Sequence, residues 1–259
     1  MEPLVNLNLV EIFASAQGEG PYVGASTIFV RLGGCDLRCS WCDSPGTWLP
    51  SKRWRLETGP GTGDFVTADN PSAVSDVEAA LARLNSPSYR FVSVTGGEPL
   101  LQADAVVAIG ESIAGTGPRL LLETHGLAVE GMRRAAPAVD VVSMDWKLAK
   151  DVRRAEVSAD DPDFDTQHEA FLAAALEHCE VYVKVVVTVE TDADELEQVA
   201  GRIHAIAPDV PLILQPVTPM AKVLNSPGAD LMLPLMRACE SKLRDVRVIP
   251  QTHRVYQAL

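Results

Sequence analysis

Residues 90–114, "RFVSVTGGEPLLQADAVVAIGESIA", decide how the chain is read. An apolar, β-branched run (90–96) stops at paired glycines, and an amphipathic stretch with helical spacing (102–114) follows. That is one strand–turn–helix unit. Related runs recur at 26–32, 119–124, 139–146, 181–188, 211–217 and 246–251. Most are almost continuously apolar, as in parallel strands covered on both faces. Helical spacing fills 72–85, 128–136, 166–179, 192–207 and 228–243, with Ser72 as N-cap of the first of these. Alternation of this kind predicts right-handed βαβ units, and so an incomplete (β/α) barrel or an open doubly wound sheet. The stretch 45–70 breaks the rhythm and is expected to be a long loop or small excursion within one domain spanning 1–259.

The chain has 259 residues, 47% of them hydrophobic, enough for one sizeable core. No apolar run reaches the ~20 residues of a membrane span. The N-terminus lacks the pattern of a secretion signal, so a cytoplasmic location is expected. A formal charge of −13 opposes non-specific nucleic-acid binding. The acidic stretches "SADDPDFD" (158–165) and "DADELEQ" (192–198) are expected to be solvated.

Three of the five cysteines fall in "GGCDLRCSWCDSPGTW" (33–48), as Cys35, Cys39 and Cys42. In a reducing compartment such a cluster is metal-binding or redox-active rather than a disulfide framework. A structural zinc site would want a fourth ligand nearby. A dithiol redox pair would leave Cys35 over. Three thiolates can instead hold three irons of a cubane cluster and leave the fourth iron open to another ligand. Cys179 and Cys239, on expected helices, read as small core residues. In "SVTGGEPLLQ" (93–102) the glycines would let backbone approach a ligand, with Glu98 accepting from an ammonium group.

The cysteine spacing, with Trp41 before the third thiol, resembles that of the radical S-adenosylmethionine enzymes. Residues 11–44, "TGGEP", "ETHG" (123–126), "LQPVT" (214–218) and "VIPQTH" (248–253) resemble, in the same order, the 7-carboxy-7-deazaguanine synthase family. The resemblance covers most of the chain outside 45–70. It implies an incomplete (β/α) barrel that uses a [4Fe–4S] cluster, S-adenosylmethionine and Mg²⁺. The implied reaction is ring contraction of 6-carboxy-5,6,7,8-tetrahydropterin, started by a 5′-deoxyadenosyl radical, with loss of ammonia.

The same resemblance implies the site. Cys35, Cys39 and Cys42 would bind the cluster, and Ser44, where the family has threonine, would contact Mg²⁺. Trp41, Asp43, Gly97, Glu98, Gln215, Pro216 and Val217 would contact S-adenosylmethionine. Asp145 and Lys147 would join them, in "SMDWK" where the family has Ser-Pro-Lys. Ala16, Gln17, Gly18, Arg31, Thr95 and His253 would contact the pterin, Arg31 by a planar grip on its carboxylate. Glu19 receives no role, and His125, where the family has asparagine, receives no catalytic role.

Glu123 and Thr124 would line the cofactor pocket or cap the following helix. His168, His178 and His204 are expected at surface or satisfied core positions of helices. Asp36, also replacing an asparagine, would face water or lower the cluster potential. A homodimer and a flavodoxin or ferredoxin as electron donor are implied as well. Two other readings stay open: a glycyl-radical activating enzyme acting on a protein, and a non-catalytic zinc module. Independently of family, the motifs fall at or just past the C-terminal ends of the expected strands, the rim where (β/α) folds carry active sites.

Overall fold

The computed structural model describes residues 5–158, 161–220 and 222–255. Fourteen strands and six α-helices alternate along these residues. The first half holds β1 (Asn6–Leu7), β2 (Leu9–Ala16), β3 (Ser26–Leu32), β4 (Leu37–Cys39), β5 (Arg53–Glu57), β6 (Phe65–Asp69), β7 (Ser72–Ala73) and α1 (Val74–Arg83). Then come β8 (Phe91–Gly96), α2 (Ala103–Ile113), β9 (Arg119–Thr124), α3 (Val129–Ala135), β10 (Val141–Asp145), β11 (Val152–Arg154) and α4 (Phe164–Leu176). The chain closes with β12 (Glu180–Val187), α5 (Ala193–Ile206), β13 (Leu212–Pro216), α6 (Ala229–Glu240) and β14 (Val246–Val248).

One ten-stranded sheet runs in the order β14-β13-β12-β10-β9-β8-β3-β2-β5-β6. From β3 to β14 every pairing is parallel, which is the expected incomplete (β/α) barrel. Each expected strand and helix has its counterpart, with ends shifted by a few residues.

The strand interior has two layers. Phe91, Leu121, Val141, Tyr182 and Ile213 form an apolar floor, closed by Tyr22. Two or more residues further along each strand the inward positions become polar: Ser93 and Thr95, Glu123, Ser143, Lys184, Gln215. The intervening residues, such as Val92, Leu122, Val142, Val183 and Leu214, face outward into the larger core under the helices. This period of two fixes which side chains reach the rim.

Four expectations are refined or corrected. Of the two readings of 45–70, the small excursion holds: β5 and β6 form a hairpin that extends the sheet beyond β2, with Trp54 buried in the core. Glu57, fully buried, accepts the Ala14 N–H at 3.0 Å and the Gly63 N–H at 3.1 Å, and so anchors that hairpin. Alternation over five residues, flanked by turn residues, is short enough to escape a periodicity reading. Next, β2 precedes the strand taken as first and runs antiparallel to it. Third, Ser72 lies in β7; Ala73 caps α1, its N–H donating to Asp76 at 2.8 Å. Fourth, Cys179 and His178 lie just past α4, not in it.

Cys179 and Cys239 are buried, as expected. Of the acidic stretch 158–165, Ser158, Asp161, Pro162 and Asp163 are exposed and Phe164 and Asp165 half-buried, while Ala159 and Asp160 lie outside the described residues. Among the described residues no helix is long and apolar enough to cross a membrane.

Candidate active site at the C-terminal rim

A cleft opens above the polar layer of the sheet. Its walls come from the ends of the parallel strands, from the cysteine loop after β3, and from the segment after β14.

Cys35, Cys39 and Cys42 line this cleft as free, half-buried thiols. The loop is folded by a two-stranded ribbon, β4 against β11, and by Cys42 N–H donating to the Cys39 carbonyl at 3.3 Å. Cys35 N–H donates to the Trp48 carbonyl at 3.2 Å. Burial pushes the Cys35 thiol up to about 12, and it also raises Cys39. Metal ligation reverses that, because binding takes the thiolate. Three soft donors on one wall, none bonded to another cysteine, suit an iron–sulfur cluster.

The paired glycines line the cleft and have a packing task besides. A Cβ on Gly96 would collide with the Leu32 backbone, and one on Gly97 with the carbonyl oxygens of Gly34 and Thr47. They let the turn after β8 lie directly on the cysteine loop. Glu98 is fully buried and does not line the cleft. Its Oε1 accepts the Leu100 N–H at 3.0 Å and the Thr124 hydroxyl at 2.8 Å, and its Oε2 accepts the His125 N–H at 2.8 Å. Protein donors thus occupy the carboxylate that was expected to take an ammonium group. Pro216 likewise stays out of the cleft, with Gln215 and Val217 on either side lining it. Gln215 is buried and lines the cleft, and its Oε1 has no hydrogen-bond partner among the described residues.

Every other residue expected at the site lines the cleft: Ala16, Gln17, Gly18, Arg31, Trp41, Asp43, Ser44, Thr95, Gly97, Asp145, Lys147, Gln215, Val217 and His253. Arg31 donates through Nε to Glu11 at 2.8 Å, which leaves its terminal nitrogens without a hydrogen bond to the described residues. Glu11 in turn pairs with Arg55 of the hairpin at 2.5 Å. Burial opposes ionisation of Glu11, but Arg31 and Arg55 outweigh it and hold the carboxyl below its ordinary value.

Gln17 and Thr95 do not point free polar groups at a ligand. Both donate to Glu123, at 2.9 and 3.0 Å, and Ser93 adds a third bond at 2.8 Å. Glu123 therefore lines the cleft as a carboxylate held by three donors, which decides its two earlier readings in favour of the pocket.

A chain of buried charge crosses the cleft. Lys147 sits 4.5 Å above the Trp41 ring and pairs with Asp145 at 2.5 Å. Asp145 pairs with Lys184 at 3.1 Å, and Lys184 pairs on its other side with Glu19. Gln251 donates to Glu19 at 2.6 Å. Burial disfavours the charged form of both lysines, yet their carboxylate neighbours raise each above its ordinary value; burial likewise opposes ionisation of Asp145, but the two lysines outweigh it and hold the carboxyl low. Sequence reasoning missed Lys184, although a lone lysine in "VYVKVVVT" was its signal.

His253 is half-buried against Gly18, and burial lowers it toward the neutral ring. Ser44 donates to Asp43 at 2.9 Å, and these two oxygens are what the chain offers a hard cation at this point. Among the described residues no three His, Cys, Asp or Glu side chains are grouped to hold a single ion.

Comparison with known proteins agrees with this geometry. Residues 16–157 match the family described as a 4Fe-4S single cluster domain. The chain is 35% identical over 250 residues to the 7-carboxy-7-deazaguanine synthase of Geobacter sulfurreducens, covering 95% of each. It is 32% identical over 249 residues to that of Methanocaldococcus jannaschii, covering 94% of this chain and 97% of the relative. The crystal structure of QueE from Escherichia coli shares the fold, with TM-score 0.60, 22% identity and coverage of 96% and 95%. Streptococcus suis SuiB bound to S-adenosylmethionine also shares it, with TM-score 0.56, 12% identity and coverage of 83% and 48%.

Fold and thiol-lined rim together define an iron–sulfur enzyme of the radical S-adenosylmethionine class, built on a partial (β/α) barrel. Within that class the chain belongs to the 7-carboxy-7-deazaguanine synthase family. Its cofactors are a [4Fe–4S] cluster and S-adenosylmethionine.

Proposed function

We propose that the protein converts 6-carboxy-5,6,7,8-tetrahydropterin into 7-carboxy-7-deazaguanine with loss of ammonia, as a carbon–nitrogen lyase of queuosine precursor synthesis. The observation that carries this reading is the opening of three thiols and the free end of Arg31 into one cleft. When bound, the reduced cluster and S-adenosylmethionine supply a carbon-centred oxidant that takes hydrogen from the substrate.

Cys35, Cys39 and Cys42 hold the cluster. Gln215 receives a donor of the adenosyl cofactor on its open oxygen, with Trp41, Asp43, Gly97, Asp145, Lys147 and Val217 beside it. Arg31 grips the pterin carboxylate through its two terminal nitrogens while Glu11 fixes the guanidinium plane. Ala16 and Gly18 offer backbone to the pterin, Gln17 and Thr95 act on it through Glu123, and neutral His253 closes the far side. Ser44 contributes a hydroxyl to Mg²⁺, and substrate and water complete the shell.

Clustered free thiols belong in a reducing cytoplasm, where a flavodoxin or ferredoxin supplies the electron. Two copies assemble as a homodimer, by likeness to the family.

Anaerobic reconstitution with iron and sulfide, followed by incubation with S-adenosylmethionine, reductant, Mg²⁺ and the carboxytetrahydropterin, tests the proposal. Appearance of the deazapurine chromophore together with ammonia is expected. Cofactor cleavage without that product overturns it.

A further inference from the structure

Cys35 is bracketed on both sides by one hydrogen-bonded frame. Ahead of it, the Gly34 carbonyl accepts the Glu98 N–H at 2.8 Å. Behind it, Asp36 Oδ1 lies 2.8 Å from His125 Nε2. Those two ends meet at Glu98, whose Oε2 accepts the His125 N–H at 2.8 Å. The Leu127 N–H donates to His125 Nδ1 at 3.1 Å, so the ring proton sits on Nε2 and is given to Asp36. Glu98 is fully buried and His125 is 6% exposed, so neither group has water as an alternative partner. Asp36 is not simply a solvated carboxylate, despite its half-exposed position.

We infer that Asp36, His125 and Glu98 are positioning residues that set where Cys35 presents its sulfur, Glu98 being the hub through backbone and side chain at once. This rests on reading Cys35 as a cluster ligand. The frame passes no proton and touches no reacting atom. It ties the residue on either side of one thiol to the wall formed by β8 and β9, whereas Cys39 lies in the β4–β11 ribbon and Cys42 at its exit. Loosening the frame should therefore free one cysteine and not the other two.

The test uses the reduced, metal-free full chain and iodoacetamide, with alkylation at each cysteine followed by peptide mass. Asp36→Ala removes the acceptor, while Asp36→Asn keeps an oxygen for His125 Nε2–H. D36A is expected to speed alkylation of Cys35 about tenfold and to leave Cys39 and Cys42 within about twofold. D36N is expected to stay within about threefold of wild type. Should D36A fail to accumulate, Asp36→Ser breaks the same contact by shortening the side chain and takes its place.

An unchanged Cys35 rate in D36A overturns the inference. So does an equal rise at all three thiols, which would mean general loosening, and so does D36N behaving like D36A. In the reconstituted protein, the electron paramagnetic resonance spectrum of the reduced cluster should split into two species in D36A and remain single in D36N. A single, unshifted spectrum in D36A counts against the frame. Because alkylation needs neither cluster nor substrate, its failure leaves the lyase reading standing, and a failed lyase assay leaves the frame standing.

Discussion

Lys184 Nζ and Asp145 Oδ1 lie 3.1 Å apart at directly paired positions on β12 and β10, with Glu19 closing on the lysine from the other side. Two carboxylates flank this ammonium, and a second lysine, Lys147, flanks the shared aspartate. Burial alone would discharge the two lysines and Asp145, and each is kept ionised by its opposite-charge neighbours.

Replacing Lys184 by Met leaves Glu19 without a cation and Asp145 with one. The cost should be about 3 kcal/mol, read as a lower urea midpoint, with product formation falling by more than about tenfold. A variant as stable and active as wild type would remove Lys184 from this account.

The same network fixes a flat pH window. Asp145 is held low, so its contribution is present above an ordinary carboxylate value of about 3.9 and is lost as pH falls through the lowered one. Lys184 is held high, so its contribution is present below about 10.4 and is lost as pH rises through the raised value. The stability difference between wild type and K184M should therefore stay constant between about pH 5 and 9. A difference that drifts across that window would contradict the assigned shifts.

His168 supplies the acid-side slope. It is fully buried, stacks on Trp146 with ring centres 4.8 Å apart, and burial pushes it down to about 3. The unfolded chain takes up the proton near pH 6.5, so stability is present above that value and is lost as pH falls. Unfolding in urea between pH 6.5 and 4 should show a loss near 1.4 kcal/mol per pH unit that His168→Phe removes. An identical slope in H168F would show that another group carries it.

Arg31 and Glu11 should separate binding from turnover. Glu11→Gln weakens the bond that fixes the guanidinium plane, so KM for the pterin should rise about tenfold with kcat within about twofold. Arg31→Lys should do more, since an ammonium cannot give the two-point grip. Unchanged KM in both variants would place the substrate carboxylate elsewhere.

The cysteines divide cleanly. Cys39→Ala should abolish cluster assembly, seen as loss of iron and of the brown absorbance, whereas Cys239→Ala in the core of α6 should retain both. A fully loaded C39A protein would refute the ligand assignment.

Long apolar runs such as "VYVKVVVT" and "RLLLET" made the parallel strands legible, because burial on both faces leaves few polar interruptions. Among those interruptions Ser143 and Lys184 were overlooked. With Thr95, Glu123 and Gln215 they stand at inward positions of their strands and line the cleft. The β5–β6 hairpin stayed hidden because its pairing with β2 is set by buried Trp54 and Glu57, one apolar and one charged, which no hydropathy pattern joins. Glu98 was read by its chemistry alone. Only packing showed that five protein groups, from Gly34 to His125, already use its backbone and carboxylate.

Gly18 accepts the Thr252 N–H at 2.8 Å, and Glu19 holds Gln251, so the mouth of the cleft is sewn from residues more than 230 positions apart. Ribosomal synthesis delivers Thr252 after every strand of the sheet. A released chain truncated before Gln251 would therefore keep every strand of the sheet yet lack the two bonds that close its reaction chamber.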